Sequence, residues 1–244
     1  MYIDNLCIEV TRKCNMRCAH CLRGVAQNIN IDTSYIDELL RHCKDGIGSI
    51  TFTGGEPTLN MSAIKRTFET IRLLDIPLGG FYIVTNARAY KKELIELLDE
   101  MYEYCYEKEL CGLAISDDEF HAKYRDEFTF KRNSIHYAYD CFGDMRKYFR
   151  QNEKKTDWQS SYLLNEGRAK NIHSPYIKKR ENTVSSVIDD LVHIYKGDNN
   201  IGGTLYLNAL GELIDGCDWS YHSQNQHKLG NIFNWDGFLY KITV

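Results

Sequence analysis

Apolar residues along the chain fall into short blocks separated by longer stretches of helical spacing. Residues 6–11 (LCIEVT), 49–53 (SITFT), 81–85 (FYIVT), 113–116 (LAIS) and YLL near residue 162 are compact apolar runs and predict buried strands. Between them, YIDELLRHC after Asp32 and Thr33, AIKRTFETIRLL, and KKELIELLDEMYEYC place apolar residues three or four apart and predict amphipathic helices. Strands that alternate with helices imply βα units and a parallel sheet. A further helix is expected between Lys131 and Arg150 and another through VSSVIDDLVHIYK, with a polar loop over residues 151–160. GGTLYLNALGELIDG alternates on both sides of a turn near Gly211 and predicts a β-hairpin. About six βα units fit before that hairpin, so the expected architecture is α/β, an open partial barrel with its chemistry at the C-terminal strand ends. At 244 residues the chain is long enough for one such core and short for two. We therefore expect residues 1–200 to form the barrel core and 201–244 a strand, hairpin and cap of the same domain.

Composition narrows the class. With 43% hydrophobic and 26% charged residues and three prolines, this is a globular chain rather than a disordered or collagenous one. The first residues lack the basic start and apolar run of a secretory signal. No stretch has the apolar length that spans a bilayer, so a cytoplasmic protein without a membrane partner is expected. In that compartment thiols stay reduced, and nine cysteines read as metal ligands or buried hydrophobes rather than disulfides. A formal net charge of −4 argues against general nucleic-acid binding. Lys and Arg cluster in KRNS, KYFRQNEKK and YIKKR, runs that are ordinarily solvated faces or loops. The 17 tyrosines suit a partly polar interior or a peptide groove alike.

The segment that carries chemistry is Cys14-Asn15-Met16-Arg17-Cys18-Ala19-His20-Cys21, three thiols at spacings of four and three directly after the first predicted strand. Three thiolates can hold three corners of a cubane iron–sulfur cluster and leave the fourth iron open. A Cys₃His zinc site completed by His20 uses the same residues. Cys18, His20 and Cys21 are crowded around one small ion, so spacing favours the cluster while leaving zinc open.

Together with Thr53-Gly54-Gly55-Glu56-Pro57, after the second predicted strand, the cysteine loop resembles the radical S-adenosylmethionine (SAM) superfamily. The resemblance implies a partial (β/α)6 barrel, one [4Fe-4S] cluster on Cys14, Cys18 and Cys21, SAM, and a low-potential electron donor such as flavodoxin or ferredoxin. Gly54, Gly55, Glu56 and Pro57 would hold the SAM amine: glycines admit a close backbone approach, and carbonyls with a carboxylate accept from an ammonium group. Thr85-Asn86-Ala87 follows the third strand, where many relatives have Thr-Asn-Gly or Ser-Asn-Gly. Thr85 and Asn86 are thus either SAM-pocket residues or an ordinary strand-end cap. Ser116-Asp117-Asp118-Glu119-Phe120-His121 resembles the Ser-x-Asp segment of the branch with molybdenum-cofactor and peptide-modifying enzymes. That implies Ser116 and Asp118 near the ribose or carboxylate of SAM, although a helix N-cap accounts for the same residues. His121 is a catalytic candidate or a structural histidine. Asn165-Glu166-Gly167-Arg168-Ala169 looks like the Gly-Arg-Ala element of that branch, with Arg168 at the SAM pocket or at a surface turn. His20 stands where relatives often carry an aromatic residue close to adenine.

The hairpin ending at Asp215-Gly216-Cys217, followed by Leu229-Gly230-Asn231-Ile232, resembles the opening of the C-terminal extension that holds auxiliary clusters in many peptide-modifying relatives. Beyond residue 141 this chain offers only Cys217, so one cluster is expected, and Cys217 is a packing residue or a catalytic candidate. Cys7, Cys43, Cys105, Cys111 and Cys141 lie at irregular spacings and read as packing residues. The resemblance covers residues 6 to 217. Because the chain begins almost at its first strand, no separate module for gripping a leader peptide is expected. The implied function is reductive cleavage of SAM to a 5′-deoxyadenosyl radical that abstracts hydrogen from a substrate. A peptide or protein is the first expectation and a small metabolite or nucleotide-derived molecule the second. The rival of a different class is a non-catalytic iron–sulfur or zinc protein.

Overall fold

The computed structural model describes residues 1–116, 120–121, 143, 146–150, 162–173, 178–180, 192–194 and 200–243. Strands β1 (Tyr2–Thr11), β2 (Gly46–Gly54), β3 (Leu78–Thr85) and β4 (Gly112–Ile115) run parallel and pair in that order. Helices α1 (Thr33–His42), α2 (Met61–Leu73) and α3 (Lys91–Tyr104) connect or follow them. Asp32 caps α1 by accepting from the Ser34 N–H at 2.9 Å. The helices bury the stripes their spacing predicts, with Ile36, Leu39, Ile64, Phe68, Leu94 and Leu98 packed on Leu6, Ile8, Ile50, Phe52, Phe81 and Ile83. Each such side chain contributes about 1.5–3 kcal/mol by leaving water, and this core holds the strand ends in place.

The predicted hairpin forms from β8 (Ile201–Leu207) and β9 (Glu212–Asp215), which pair antiparallel. Its turn needs Gly211, which sits at φ +78 with the Tyr35 ring 3.0 Å from where a Cβ would stand. The hairpin is not an appendage to the barrel. β8 lies parallel to β1, from Ile3↔Ile201 to Ile8↔Leu207, so the sheet runs β9-β8-β1-β2-β3-β4, with one further strand beyond β9. Beyond it, the expected cap contains a 3₁₀ turn at Ser223–His227, β10 (Lys228–Asn231) and α4 (Trp235–Thr243). The result is an open, partial α/β barrel with a parallel core.

Three expectations are revised. YLL does form β5 (Tyr162–Leu164), but it pairs with β6 (Lys178–Arg180) in a separate two-stranded parallel sheet rather than beside β4. The described residues 146–150 of the helix expected up to Arg150 are not helical, because the edge of β4 takes that segment as backbone partner. Leu113 N–H donates to Tyr148 O at 2.8 Å and Arg150 N–H donates to Leu113 O at 2.9 Å. The helix expected through VSSVIDDLVHIYK gives way at its described residues to β7 (His193–Ile194), which pairs with the start of β8. The rest of both segments, the loop 151–160, and Cys141 lie outside the described residues.

Candidate active site

The cysteine loop is an excursion from the end of β1, closed at its neck by backbone hydrogen bonds. Arg12 N–H donates to Ile29 O at 2.8 Å, Gln27 N–H to Arg12 O at 2.9 Å, and Ile31 N–H to Val10 O at 3.1 Å. Cys14, Cys18 and Cys21 line one cavity of about 270 Å³ at the C-terminal strand ends. Burial pushes the Cys14 thiol up to about 11, against the Met16 N–H that points at its sulfur, so a metal must displace a proton there. Among the described residues, no three His, Cys, Asp or Glu side chains converge as ligands of one ion. The three thiols border one cavity, and three cysteine sulfurs around one space are the donor set of a cubane cluster with one open iron.

The opposite wall is Thr53-Gly54-Gly55-Glu56-Pro57. Its glycines are required first by the protein itself: a Cβ on Gly54 would lie 2.1 Å from Thr11 O, and one on Gly55 would lie 2.2 Å from Lys13 O. Gly55 N–H donates to Thr11 O at 2.9 Å and Glu56 N–H to Lys13 O at 2.8 Å. The second motif therefore braces the first. The Glu56 carboxylate, expected as a free acceptor for an ammonium group, is 3% exposed. Its Oε1 accepts from Thr58 N–H (3.2 Å), Thr58 Oγ1 (2.6 Å) and Thr85 Oγ1 (2.6 Å), and its Oε2 from Asn86 N–H (2.8 Å). It ties the end of β2 to the end of β3. Asn86 in turn donates from Nδ2 to Asn15 Oδ1 at 2.8 Å, joining the third strand end to the cysteine loop. Ala87 takes φ 55, the left-handed conformation in which glycine is at ease.

The remaining candidates divide. His20, Asn86, Ser116, His121 and Arg168 all line the cavity. His20 stacks on Phe120 with centroids 4.5 Å apart and meets His121 edge-on at 5.1 Å. Ser116 N–H donates to Thr85 O at 2.9 Å, holding the end of β4 to that of β3. Gly167 at φ +52 lets Arg168 N–H reach Cys21 O at 2.9 Å. Arg168 Nε is buried with no hydrogen-bond partner among the described residues. Thr85 and Cys217 do not line the cavity, and Asp118 lies outside the described residues.

The family model described as Radical SAM superfamily matches residues 8–151. The chain belongs to the radical SAM superfamily. A curated relative, GTP 3′,8-cyclase of Clostridium acetobutylicum, is 42% identical over 89 residues, 34% of this chain and 27% of the cyclase. Among solved structures, SuiB of Streptococcus suis bound to precursor peptide SuiA aligns at TM-score 0.56 and 15% identity, covering 98% of this chain and 64% of SuiB. Native anSMEcpe with bound AdoMet and Kp18Cys peptide aligns at TM-score 0.59 and 13% identity, covering 98% of this chain and 80% of that one. The chain thus spans about a quarter of the cyclase and under two thirds of SuiB. At these identities the structural likeness is one of fold. As a member of this superfamily, the chain has a [4Fe-4S] cluster and SAM as its implied cofactors. Among the described residues, no helix is long and apolar enough to cross a membrane.

Sequence reasoning missed the polar hub beneath the radical SAM loop. Glu9, with no exposed surface, accepts from Arg12 Nε (2.5 Å) and Ala209 N–H (3.1 Å) on Oε1, and from Tyr206 Oη (2.6 Å) and Gln224 Nε2 (3.0 Å) on Oε2. Arg12 also donates to Gln224 Oε1 at 2.7 Å and lies over the Tyr221 ring at 4.6 Å. Arg23, two residues past Cys21, donates to Trp219 O at 2.6 Å. The C-terminal segment is thereby fastened to both ends of the cysteine loop. A glutamate inside the apolar run LCIEVT is the signal that marks this hub, because a buried carboxylate demands a charged or multiply hydrogen-bonded partner.

Proposed function

We propose that this enzyme cleaves SAM reductively and directs the resulting 5′-deoxyadenosyl radical at a hydrogen of a peptide or protein. The observation that carries the reading is the convergence of three thiols, the ends of β1 to β4, and Arg168 on one cavity. Cys14, Cys18 and Cys21 hold the cluster. When bound and reduced by an external low-potential donor such as flavodoxin or ferredoxin, the cluster supplies the electron that breaks a carbon–sulfur bond of SAM. Backbone carbonyls of the Gly54–Glu56 segment accept from the SAM amine, while the Glu56 carboxylate keeps that segment in register. Arg168, which lines the cavity and whose buried Nε has no partner among the described residues, donates to the SAM carboxylate. Asn86, Ser116 and Asp118 serve the ribose and carboxylate side, and the His20 ring serves adenine, with Thr85 acting through Glu56. His121 sits on the cavity wall where it can touch substrate.

The peptide reading is supported by SuiB and anSMEcpe, both described with a bound peptide and both matching nearly the whole of this chain in fold. A nucleotide-derived small molecule is the second reading, favoured by the local 42% identity to GTP 3′,8-cyclase. The test is anaerobic reconstitution, followed by SAM and dithionite with candidate peptides encoded near the gene, or with GTP, and quantification of 5′-deoxyadenosine. Release stimulated by a peptide supports the proposal, stimulation by GTP alone moves the assignment to the second reading, and no release from an intact, reducible cluster refutes SAM cleavage.

A further inference from the structure

Two thiols that the cavity leaves unused are brought together from opposite ends of the chain. Cys7 stands on the inner face of β1 and is 3% exposed, while Cys217 is partly exposed on the loop that Gly216 opens at φ +77. Register sets Cys7 beside Tyr206 and Tyr206 beside Ile214, and Cys217 packs on the cluster that Cys7, Tyr206, Ile214 and Trp219 form. The loop is anchored around the pair. Trp219 Nε1 donates to Asp215 O at 2.7 Å, and the Arg23 guanidinium, which holds Trp219 O, lies 5.0 Å over the Tyr206 ring. Neither thiol lines the cavity of the cysteine loop.

We infer that Cys7 and Cys217 are a reversible dithiol–disulfide pair that staples the C-terminal hairpin to β1. Thiols that share one small packed cluster are within reach of a bond between sulfurs. Disulfides in a reducing compartment are of the transient, redox-sensing kind, and the inference does not depend on the substrate or on SAM cleavage. Burial and the neighbouring Cys217 push the Cys7 thiol up, so reaction starts at the more accessible Cys217. With a low-molecular-weight disulfide as oxidant, the Cys217 thiolate attacks one of its sulfurs and releases one small thiolate. Cys7 then gives up its proton and attacks Cys217 Sγ, releasing the second small thiol. Two protein thiols are oxidised and one small disulfide is reduced. The bond would close nearly the whole barrel into one covalent loop, which constrains the unfolded chain.

The test uses the reconstituted holoenzyme under anaerobic conditions, treated with oxidised glutathione, trapped with N-ethylmaleimide in denaturant and digested without reductant. The expected result is a linked peptide pair containing Cys7 and Cys217 that dithiothreitol separates, with iron content unchanged. The unfolding midpoint should rise by about 5–15 °C. Cys217→Ser, at a partly exposed position that tolerates the change, should abolish both the link and the rise. Full alkylation of Cys7 and Cys217, glutathionylated Cys217 beside alkylated Cys7, or a link between Cys105 and Cys111 in place of this one would overturn the inference.

Discussion

On the helix-covered face of the sheet, Leu6, Ile8 and Val10 of β1 stand beside Ile50 and Phe52 of β2 and Phe81 and Ile83 of β3, and every one of them is buried in a single aliphatic and aromatic core. On the other face, the same strands carry Cys7 and Glu9, Thr51 and Thr53, and Tyr82 and Val84. Register pairs them across the sheet, Cys7↔Thr51↔Tyr82 and Glu9↔Thr53. Although β3 is flanked by strands on both sides, Tyr82 is 36% and Val84 41% exposed. One face is filled by packing, and the other is buried at Cys7 and Glu9 of β1 and open at Tyr82 and Val84 of β3. Stability and chemistry are separated by the period-two alternation of the strand, and the two faces meet only at the strand ends, where Glu9, Glu56 and Asn86 spend their polar groups on each other's loops.

The sharpest challenge to this division is Arg12→Met. It leaves the fully buried Glu9 carboxylate without its cation, so on the polar face it should cost about 3–5 kcal/mol, measured by anaerobic urea unfolding. A loss no larger than that of a surface substitution would show that the hub does not hold the C-terminal segment. Adjacent residues on β3 then compare the faces directly. Ile83→Ala should cost about 2–5 kcal/mol as a core cavity, whereas Val84→Ala should stay within about 0.5 kcal/mol, as for accessible sites. Equal losses would contradict the assignment of faces. An effect of the opposite sign is expected at Ala87, whose φ of 55 strains an L-residue. Ala87→Gly should stabilise by about 1 kcal/mol or a little less, once the greater freedom of glycine in the unfolded chain is subtracted. A destabilised variant would mean that the Cβ is held by contacts stronger than the strain.

Much of this architecture was legible because it is local. Alternation marks β1 to β4, spacing marks α1 to α3, and Gly211 marks the hairpin. The two radical SAM motifs follow their strands as expected. The parallel docking of β8 on β1 was not legible, since pairing between Ile3 and Ile201 leaves no trace in either segment's own pattern. Nor was the commitment of Glu56, because two of its donors, Thr85 and Asn86, arrive from another strand. The glycines of the second motif were visible as glycines, but their close neighbours, the carbonyls of Thr11 and Lys13, are supplied by the fold. Arg23 carries no motif at all and is found only once Trp219 is seen to hold it.

The central claim is that Cys14, Cys18 and Cys21 are the whole ligand set of one cluster. It is tested most directly by iron and labile sulfide analysis of anaerobically reconstituted protein, wild type beside the Cys14→Ala, Cys18→Ala, Cys21→Ala triple variant. The wild type should hold about four irons and four sulfides per chain, and the variant should fall to background while remaining folded by circular dichroism. Stoichiometric zinc without sulfide in the wild type, or a cluster retained by the folded variant, would contradict the account.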